Sequence, residues 1–133
     1  MSDCREVGYI GLGNIGKPAA RHLIRDGFRA HVFDLSEPAV RELETAGAQA
    51  HVGVDTLART CSHIGICVRD NAQVESVLYG ASGVLANAAP GALIAIHSTV
   101  TREALLRWAG DAAERGLVLI DAAISGGAQG AEA

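Results

Sequence analysis

Short apolar runs alternate with longer segments of helical spacing along this chain. None of the runs shows a clean two-residue alternation of apolar and polar positions, which is typical of strands buried on both faces of a sheet. Each run is followed by a polar or glycine-containing segment that ends it. The runs predict strands over Val7 to Ile10, Ala30 to Phe33, Gln49 to Val52, Ile64 to Val68, Leu93 to Ile96 and Leu117 to Ile120.

The segments between the runs carry apolar residues at i, i+3 and i+4, which predicts helices with one face on the sheet. The first helix begins near Asn14 and ends at Gly27, and Ser36 is placed to cap the second, which Gly47 ends. Further helices are predicted over Val54 to Arg59, Asp70 to Tyr79 and Thr101 to Arg115. The last of them is expected to turn five side chains toward the core: Leu105, Leu106, Trp108, Ala109 and Ala112.

Alternating strands and helices predict an α/β fold with a parallel sheet. Right-handed crossovers then give a doubly wound sheet of order 3-2-1-4-5-6, with helices on both faces. The chain has 133 residues, of which 49% are hydrophobic, enough for one well-buried domain. We therefore expect residues 1–133 to form a single domain.

Charge and hydropathy exclude several classes of partner. The net charge is −4 and the 11 basic residues are scattered, so no basic stripe is available for a nucleic acid backbone. The apolar runs are far shorter than the ~20 residues of a membrane span, and Met1 to Glu6 is too polar for a signal peptide. The sequence predicts a cytoplasmic protein that binds neither nucleic acid nor membrane.

Three cysteines, an odd number without a C-x-x-C pair, argue against a disulfide framework. Cys61, His63 and Cys67 are close enough in sequence to suggest a metal site. However, a fourth ligand at metal spacing is missing, and small cysteines are common in buried strands. We therefore predict no bound metal.

The stretch from Val7 to Asp34 carries the most specific signal. Gly11, Gly13 and Gly16 lie between the first strand and the first helix, and Asp34 ends the next strand, about 20 residues on. This is the dinucleotide-binding fingerprint of a Rossmann domain in its expected context. The glycines permit the tight turn, the approach of a pyrophosphate and the packing of helix on strand.

Asp34 also bears on the choice of cofactor. Its carboxylate is expected to accept hydrogen bonds from the adenosine ribose hydroxyls and to repel a 2′-phosphate. Leu35 follows where enzymes that prefer NADP tend to carry arginine. The sequence therefore predicts NAD as the cofactor, with NADP less favoured.

Four motifs in order make the chain similar to the β-hydroxyacid dehydrogenase family, which includes 3-hydroxyisobutyrate dehydrogenase and 6-phosphogluconate dehydrogenase. GLGNIGKPAARHLIRDG resembles the family's glycine-rich opening, and YGASGVLANAAPG resembles its G-x-x-G-V-L…P-G segment. Ser98 and Thr99 match its S-T pair, and DAAISGG matches its D-A-P-V-S-G-G substrate motif. The resemblance covers the chain from about Val7 to its last residue and implies oxidation of a small 3-hydroxy acid by hydride transfer.

The resemblance implies roles for individual residues. The turn would hold the pyrophosphate, Val68, Arg69 and Gln73 would border the adenosine, and Thr99 would lie near the nicotinamide riboside. Ser125, Gly126 and Gly127 would bind the substrate carboxylate, as backbone N–H groups and a hydroxyl can. The residues of the turn are Gly11, Leu12, Gly13, Asn14, Ile15 and Gly16.

The chain departs from the family's pattern at several positions, above all at the general base of the reaction. Family members use a lysine on the helix that leads into a second, helical domain, whereas the only lysine here is Lys17, beside the glycine-rich turn. Ile96 and Ala123 replace the family's usual Asp and Pro. We therefore expect the cofactor domain of a longer enzyme, an oligomer when complete, that is inactive by itself.

Two alternatives stay open at this point. His97, beside the S-T pair, is a candidate proton-handling group, although a polar residue at a strand end is the simpler interpretation. The chain could also act as a stand-alone, non-catalytic NAD-binding module or sensor. A short-chain dehydrogenase is excluded, because Tyr9 and Tyr79 are followed four residues later by Gly13 and Gly83 rather than lysine.

Overall fold

Parallel strands form one sheet of order β3-β2-β1-β4-β5-β6 in the computed structural model, which describes residues 6–13 and 16–122. The predicted fold class and strand order are confirmed. Neighbouring strands are in parallel register, with β1 at the centre between β2 and β4. The strands are β1 (Glu6–Ile10), β2 (Arg29–Phe33), β3 (Gln49–Ala50), β4 (His63–Ile66), β5 (Leu93–Ile96) and β6 (Val118–Asp121).

The helices connect successive strands, as the spacing of apolar residues predicts. One of them, α5, was not predicted, because a single turn is too short to show helical periodicity. Thr101 caps the last helix as expected, its Oγ1 accepting a hydrogen bond from the N–H of Ala104 at 3.3 Å. The helices are α1 (Gly16–Arg25), α2 (Glu37–Ala46), α3 (Val54–Thr60), α4 (Asn71–Leu78), α5 (Val84–Asn87) and α6 (Arg102–Glu114).

Three details of the sequence prediction are wrong. β3 ends at Ala50 rather than Val52, because Val52 is 99% exposed in the turn before α3. β4 ends at Ile66 rather than Val68, because the backbone N–H of Val68 bonds a side-chain hydroxyl instead of a strand. Leu106 is 60% exposed, since it lies two residues from the buried Ala104 and Trp108 and so on the far side of α6.

Helices cover the two faces of the sheet unequally. On one face α1 and α2 pack over β1 to β3 around a core that includes Tyr9, Val32 and Leu43. On the other face the remaining helices enclose a larger core around Ile64, Ile94 and Trp108. The register places Val118 and Ile120 of β6 in the rows of Val7 and Tyr9, on the α1 face.

Over β6, that face of the sheet is open within the described residues. Val118 is 52% exposed and Ile120 is 41% exposed, although both are large apolar side chains. Solitary exposed apolar residues are ordinary, but two in one row on a sheet face are typical of a surface that another segment covers.

A histidine network of hydrogen-bonded side chains joins β1, β2 and α3 toward the β3 edge of the sheet. His31, only 3% exposed, places Nε2 at 2.6 Å from Glu6 Oε1 and Nδ1 at 2.9 Å from His51 Nε2. His51 Nδ1 lies 2.8 Å from the hydroxyl of Thr56. One proton occupies the contact between the two rings, so both histidines cannot be fully protonated while it persists.

This histidine network should make the stability of the fold depend on pH. Burial, with the adjacent His31, lowers the pKa of His51 below its ordinary 6.5, and the hydrogen bond from His31 lowers the pKa of Glu6. A lowered pKa in the folded state means stability that is present above the unfolded value and lost as pH falls. We therefore expect the free energy of unfolding to decrease as pH falls from about 6.5, by less than about 1 kcal/mol for His51 because solvent screens a partly exposed ring.

Urea unfolding of the wild type and of His51→Gln at pH 7.5, 6.5 and 5.5 measures this dependence. In His51→Gln the free energy of unfolding should decrease less as pH falls, whereas His22→Gln on α1, outside the histidine network, should keep the full decrease. An identical pH dependence for the wild type and His51→Gln would contradict the assignment.

Candidate functional site

The turn between β1 and α1 depends on two close backbone contacts. Gly11 has φ of +99°, and a Cβ there would lie 2.2 Å from the carbonyl oxygen of Cys67. A Cβ on Gly16 would lie 1.8 Å from the carbonyl oxygen of Gly11. Since real side chains do not approach this closely, both positions require glycine. The turn therefore lies directly against the end of β4, and α1 begins directly against the turn.

Gly13, between them, has a different environment. It is exposed, and apart from its chain neighbours no atom of the described residues lies within 4 Å of a Cβ built there. Its φ also lies outside the left-handed region. Glycine at this position therefore leaves open space beside the backbone, which is what a ligand that packs against the chain requires. Asn14 and Ile15, the next residues of the predicted phosphate site, lie outside the described residues.

Asp34 ties the turn to the start of α2. One carboxylate oxygen accepts a hydrogen bond from the N–H of Leu12 at 2.5 Å, and the other accepts one from the N–H of Ser36 at 2.8 Å. Ser36 is the N-cap residue of α2 as predicted, but its side chain makes no capping bond. The carboxylate of Asp34 is thus held by two backbone donors at the tip of β2, beside Leu12 of the turn.

A cleft of about 360 Å³ opens where these segments meet. Its charged groups are Asp34, Lys17 and Glu42, and Lys17 Nζ lies 3.0 Å from Glu42 Oε1. Arg21 approaches the second oxygen of Glu42, at 3.7 Å. The cleft is lined by Leu12, Gly13, Lys17, Asp34, Ser36, Pro38, Ala39 and Glu42.

The segment after β4 is fixed by side chains that bond to its backbone. Ser98, 4% exposed, accepts a hydrogen bond from the N–H of Val68 at 2.9 Å. Gln73 Oε1 accepts one from the N–H of Arg69 at 2.8 Å. This role of the Ser98 hydroxyl was not predicted from the sequence. Its signal in the sequence is a hydroxyl placed two residues after a buried strand, but its partner is 30 residues away.

His97 follows β5 and packs across the sheet. Its ring stacks on Tyr9, with the centroids 5.6 Å apart and the planes within 5° of parallel. Nδ1 lies 2.9 Å from the carbonyl oxygen of Ala122, and because a carbonyl can only accept, this nitrogen donates. Both rings lie over Gly65 of β4, where a Cβ would be 3.0 Å from Tyr9 and 3.1 Å from His97. The contacts of His97 are structural, and one of its two nitrogens is already committed.

Those predicted site residues that the structure describes lie toward the carboxyl edge of the sheet, but they do not share one pocket. Leu12, Gly13 and Asp34 border the cleft, whereas Val68, Arg69, Gln73 and the exposed Thr99 follow β4 and β5 and are not among its lining residues. The predicted substrate residues Ser125, Gly126 and Gly127 lie outside the described residues.

The cysteines of the considered metal site have ordinary core surroundings. Cys61 is buried, and burial raises the pKa of its thiol to about 12. In the part of the chain that the structure describes, no three His, Cys, Asp or Glu side chains are grouped as metal ligands would be.

Comparison with known proteins assigns the chain to a family. A family model for the NAD-binding domain of 6-phosphogluconate dehydrogenase matches residues 6–133. The chain belongs to this family. Its members bind NAD, and the glycine-rich turn, the open space at Gly13 and Asp34 at the tip of β2 fit such a cofactor.

Individual relatives are hydroxyacid dehydrogenases. The chain is 38% identical over its full length to 2-(hydroxymethyl)glutarate dehydrogenase of Eubacterium barkeri, and covers 44% of that protein. It is 37% identical to 3-hydroxyisobutyrate dehydrogenase of Pseudomonas aeruginosa, with 96% of the chain and 43% of that protein aligned. Psf3, solved in complex with NADP+ and 2-OPP, superposes with a TM-score of 0.90 at 27% identity, over 95% of this chain and 45% of that one.

The chain thus spans less than half the length of the curated relatives it matches. The names of these relatives describe oxidations that the whole proteins carry out. The family assignment of this chain concerns its NAD-binding part. None of the helices within residues 16–122 is long and apolar enough to cross a membrane.

The open space at Gly13 gives a direct test of the cleft. Gly13→Val should lower NAD affinity by at least about tenfold, because a branched side chain would fill the space that the pyrophosphate needs. The free energy of unfolding should change by less than about 1 kcal/mol, since the new Cβ would contact none of residues 6–11 or 16–122. Isothermal titration calorimetry and urea unfolding measure the two quantities.

Gly110→Val is the matched control, because Gly110 is exposed on α6 and a Cβ there also meets nothing within 4 Å. It should leave NAD affinity unchanged. Normal NAD binding by Gly13→Val would show that the turn does not hold the pyrophosphate.

Proposed function

We propose that this chain is the cofactor domain of an enzyme that oxidises a small 3-hydroxy acid, with NAD as hydride acceptor. The observation that carries the proposal is the cleft in which an open glycine turn lies beside the fixed carboxylate of Asp34. The names of the relatives, dehydrogenases of small hydroxy acids, support the reaction class.

Each group of site residues predicted from the sequence has a role in the proposal. The turn from Gly11 to Gly16 holds the pyrophosphate at the start of α1, where the helix dipole favours negative charge. The donors are the N–H groups after Leu12, since the N–H of Gly11 bonds the carbonyl oxygen of Phe33 and that of Leu12 bonds Asp34. Asp34 accepts hydrogen bonds from the adenosine ribose. Val68, Arg69 and Gln73 border the adenosine, and Thr99 lies toward the nicotinamide riboside. Ser125, Gly126 and Gly127 bind the substrate carboxylate.

Asp34 favours NAD over NADP in this arrangement. Its two oxygens already accept backbone hydrogen bonds, so the carboxylate cannot swing away from an incoming 2′-phosphate without losing both. Two like charges in one cleft repel, and the repulsion increases as water is displaced. A solved relative in complex with NADP+ makes the comparison of the two cofactors informative.

Calorimetric titration of the wild-type chain with NAD and with NADP tests this point. NAD should bind more tightly by roughly tenfold or more, from the like-charge repulsion. Equal or tighter binding of NADP would show that Asp34 does not face the 2′ position.

The reaction itself needs a general acid and base, and two side chains of the described residues come into question. Lys17, the only lysine, is paired with Glu42 at the cleft. His97 commits one nitrogen to the carbonyl of Ala122. We therefore propose that residues 1–133 precede a helical domain that supplies the lysine acting as general acid and base. The open sheet face at Val118 and Ile120 is where such a domain would pack. The cytoplasmic location and the oligomeric state stay predictions.

The 133-residue chain should bind NAD yet show no measurable NAD-dependent oxidation of 3-hydroxyisobutyrate, glycerate or 6-phosphogluconate. Without a base within about 3 Å of the hydroxyl proton, the reaction loses a contribution of roughly 10²- to 10⁴-fold. Absorbance of the reduced nicotinamide at saturating substrate follows the reaction, and calorimetry on the same sample establishes that NAD is bound. Turnover at rates typical of a dehydrogenase would contradict the proposal, and His97→Gln would then test His97 as the base.

A further inference from the structure

Glu42 is a second carboxylate in the cleft, and no part of the dinucleotide fingerprint accounts for it. It lies on α2, in contact with Lys17 Nζ at 3.0 Å and Arg21 Nη1 at 3.7 Å. Lys17 lines the same cleft. Lys17 and Arg21 are thus both paired with one carboxylate of a cleft that a second carboxylate, Asp34, also lines.

We infer that Glu42 is a specificity-determining residue that disfavours a 2′-phosphorylated dinucleotide. By pairing with Lys17 and Arg21, Glu42 keeps their positive charges from a bound 2′-phosphate. The inference rests on the proposed function, because it takes the cleft to be the adenosine side of the cofactor site. It assigns the selection between NAD and NADP to two carboxylates, Asp34 and Glu42, rather than to Asp34 alone.

The charges around the cleft favour this arrangement. Its lining residues include two carboxylates and one ammonium group, so the lined space is negative overall. Glu42 is ionised at neutral pH, and the hydrogen bond from Lys17 lowers its pKa further. A dianionic 2′-phosphate would therefore enter a negative cleft and compete with Glu42 for its cations.

The long side chains of Lys17 and Arg21 make the effect reversible. The Lys17 side chain is 30% exposed and that of Arg21 is 46% exposed, so both have room to change rotamer. Without the charge on Glu42, the nearest carboxylate of the lining is Asp34, whose oxygens are already bonded to backbone N–H groups. Both cations are then available to a phosphate at the ribose edge.

Glu42→Gln removes the charge and keeps the shape of the side chain. Calorimetric titration with NAD and NADP at low ionic strength should give a ratio of NADP affinity to NAD affinity raised by roughly fivefold over the wild type. Glu44→Gln, an exposed charge on the same helix that does not line the cleft, removes the same charge from the protein and should leave the ratio unaltered.

A double variant identifies the cation. Lys17→Met combined with Glu42→Gln should abolish most of the gain in NADP binding, because the freed ammonium would be missing. The ratio of affinities for adenosine 2′,5′-bisphosphate and ADP should follow the same pattern, which isolates the effect to the adenosine end.

The outcomes separate this inference from the proposed function. Tight NAD binding with an unchanged ratio in Glu42→Gln, or an equal shift in Glu44→Gln, would overturn the role of Glu42 and leave NAD binding intact. A wild-type chain that binds neither dinucleotide would overturn both.

Discussion

The close approach of Gly16 to the carbonyl oxygen of Gly11 is the constraint on which the site depends. With no Cβ between them, α1 begins directly against the turn, and the turn lies against the backbone that follows β4. A side chain on Gly16 or Gly11 would place its Cβ 1.8 or 2.2 Å from a carbonyl oxygen, far closer than real Cβ atoms come, so α1 or β4 would have to move. The position of the helix N-terminus, and with it the favourable potential for an anion, follows from this contact.

Asp34 depends on that constraint in turn. Its hydrogen bond from Leu12 requires the turn to lie beside the tip of β2, and its bond from Ser36 then fixes the start of α2. One carboxylate therefore aligns two crossovers as well as facing the cleft. This dual use explains how a short segment, from Val7 to Glu42, contains the turn, the carboxylate and the ion pair of the cleft.

The sequence predicted those parts of the molecule that are encoded locally. The strand order followed from alternating patterns and the handedness of crossovers, and the turn followed from three glycines in a required context. Bonds between distant residues could not be predicted. The bond from Val68 to Ser98 joins residues 30 apart, and the pair of Lys17 with Glu42 joins residues 25 apart. Leu106 was misplaced because an apolar residue does not by itself report the phase of its helix.

The stack of His97 on Tyr9 gives the sheet a line of packed atoms that runs across its strands. Ala122, just beyond β6, holds His97, whose ring contacts Tyr9 of β1. The far edge of the Tyr9 ring reaches the position where a Cβ of Gly16 would be, 3.4 Å away. The end of β6 and the first turn of α1, on opposite halves of the sheet, are thus joined through two packed rings, so a change in the size of either ring would alter the packing at both places.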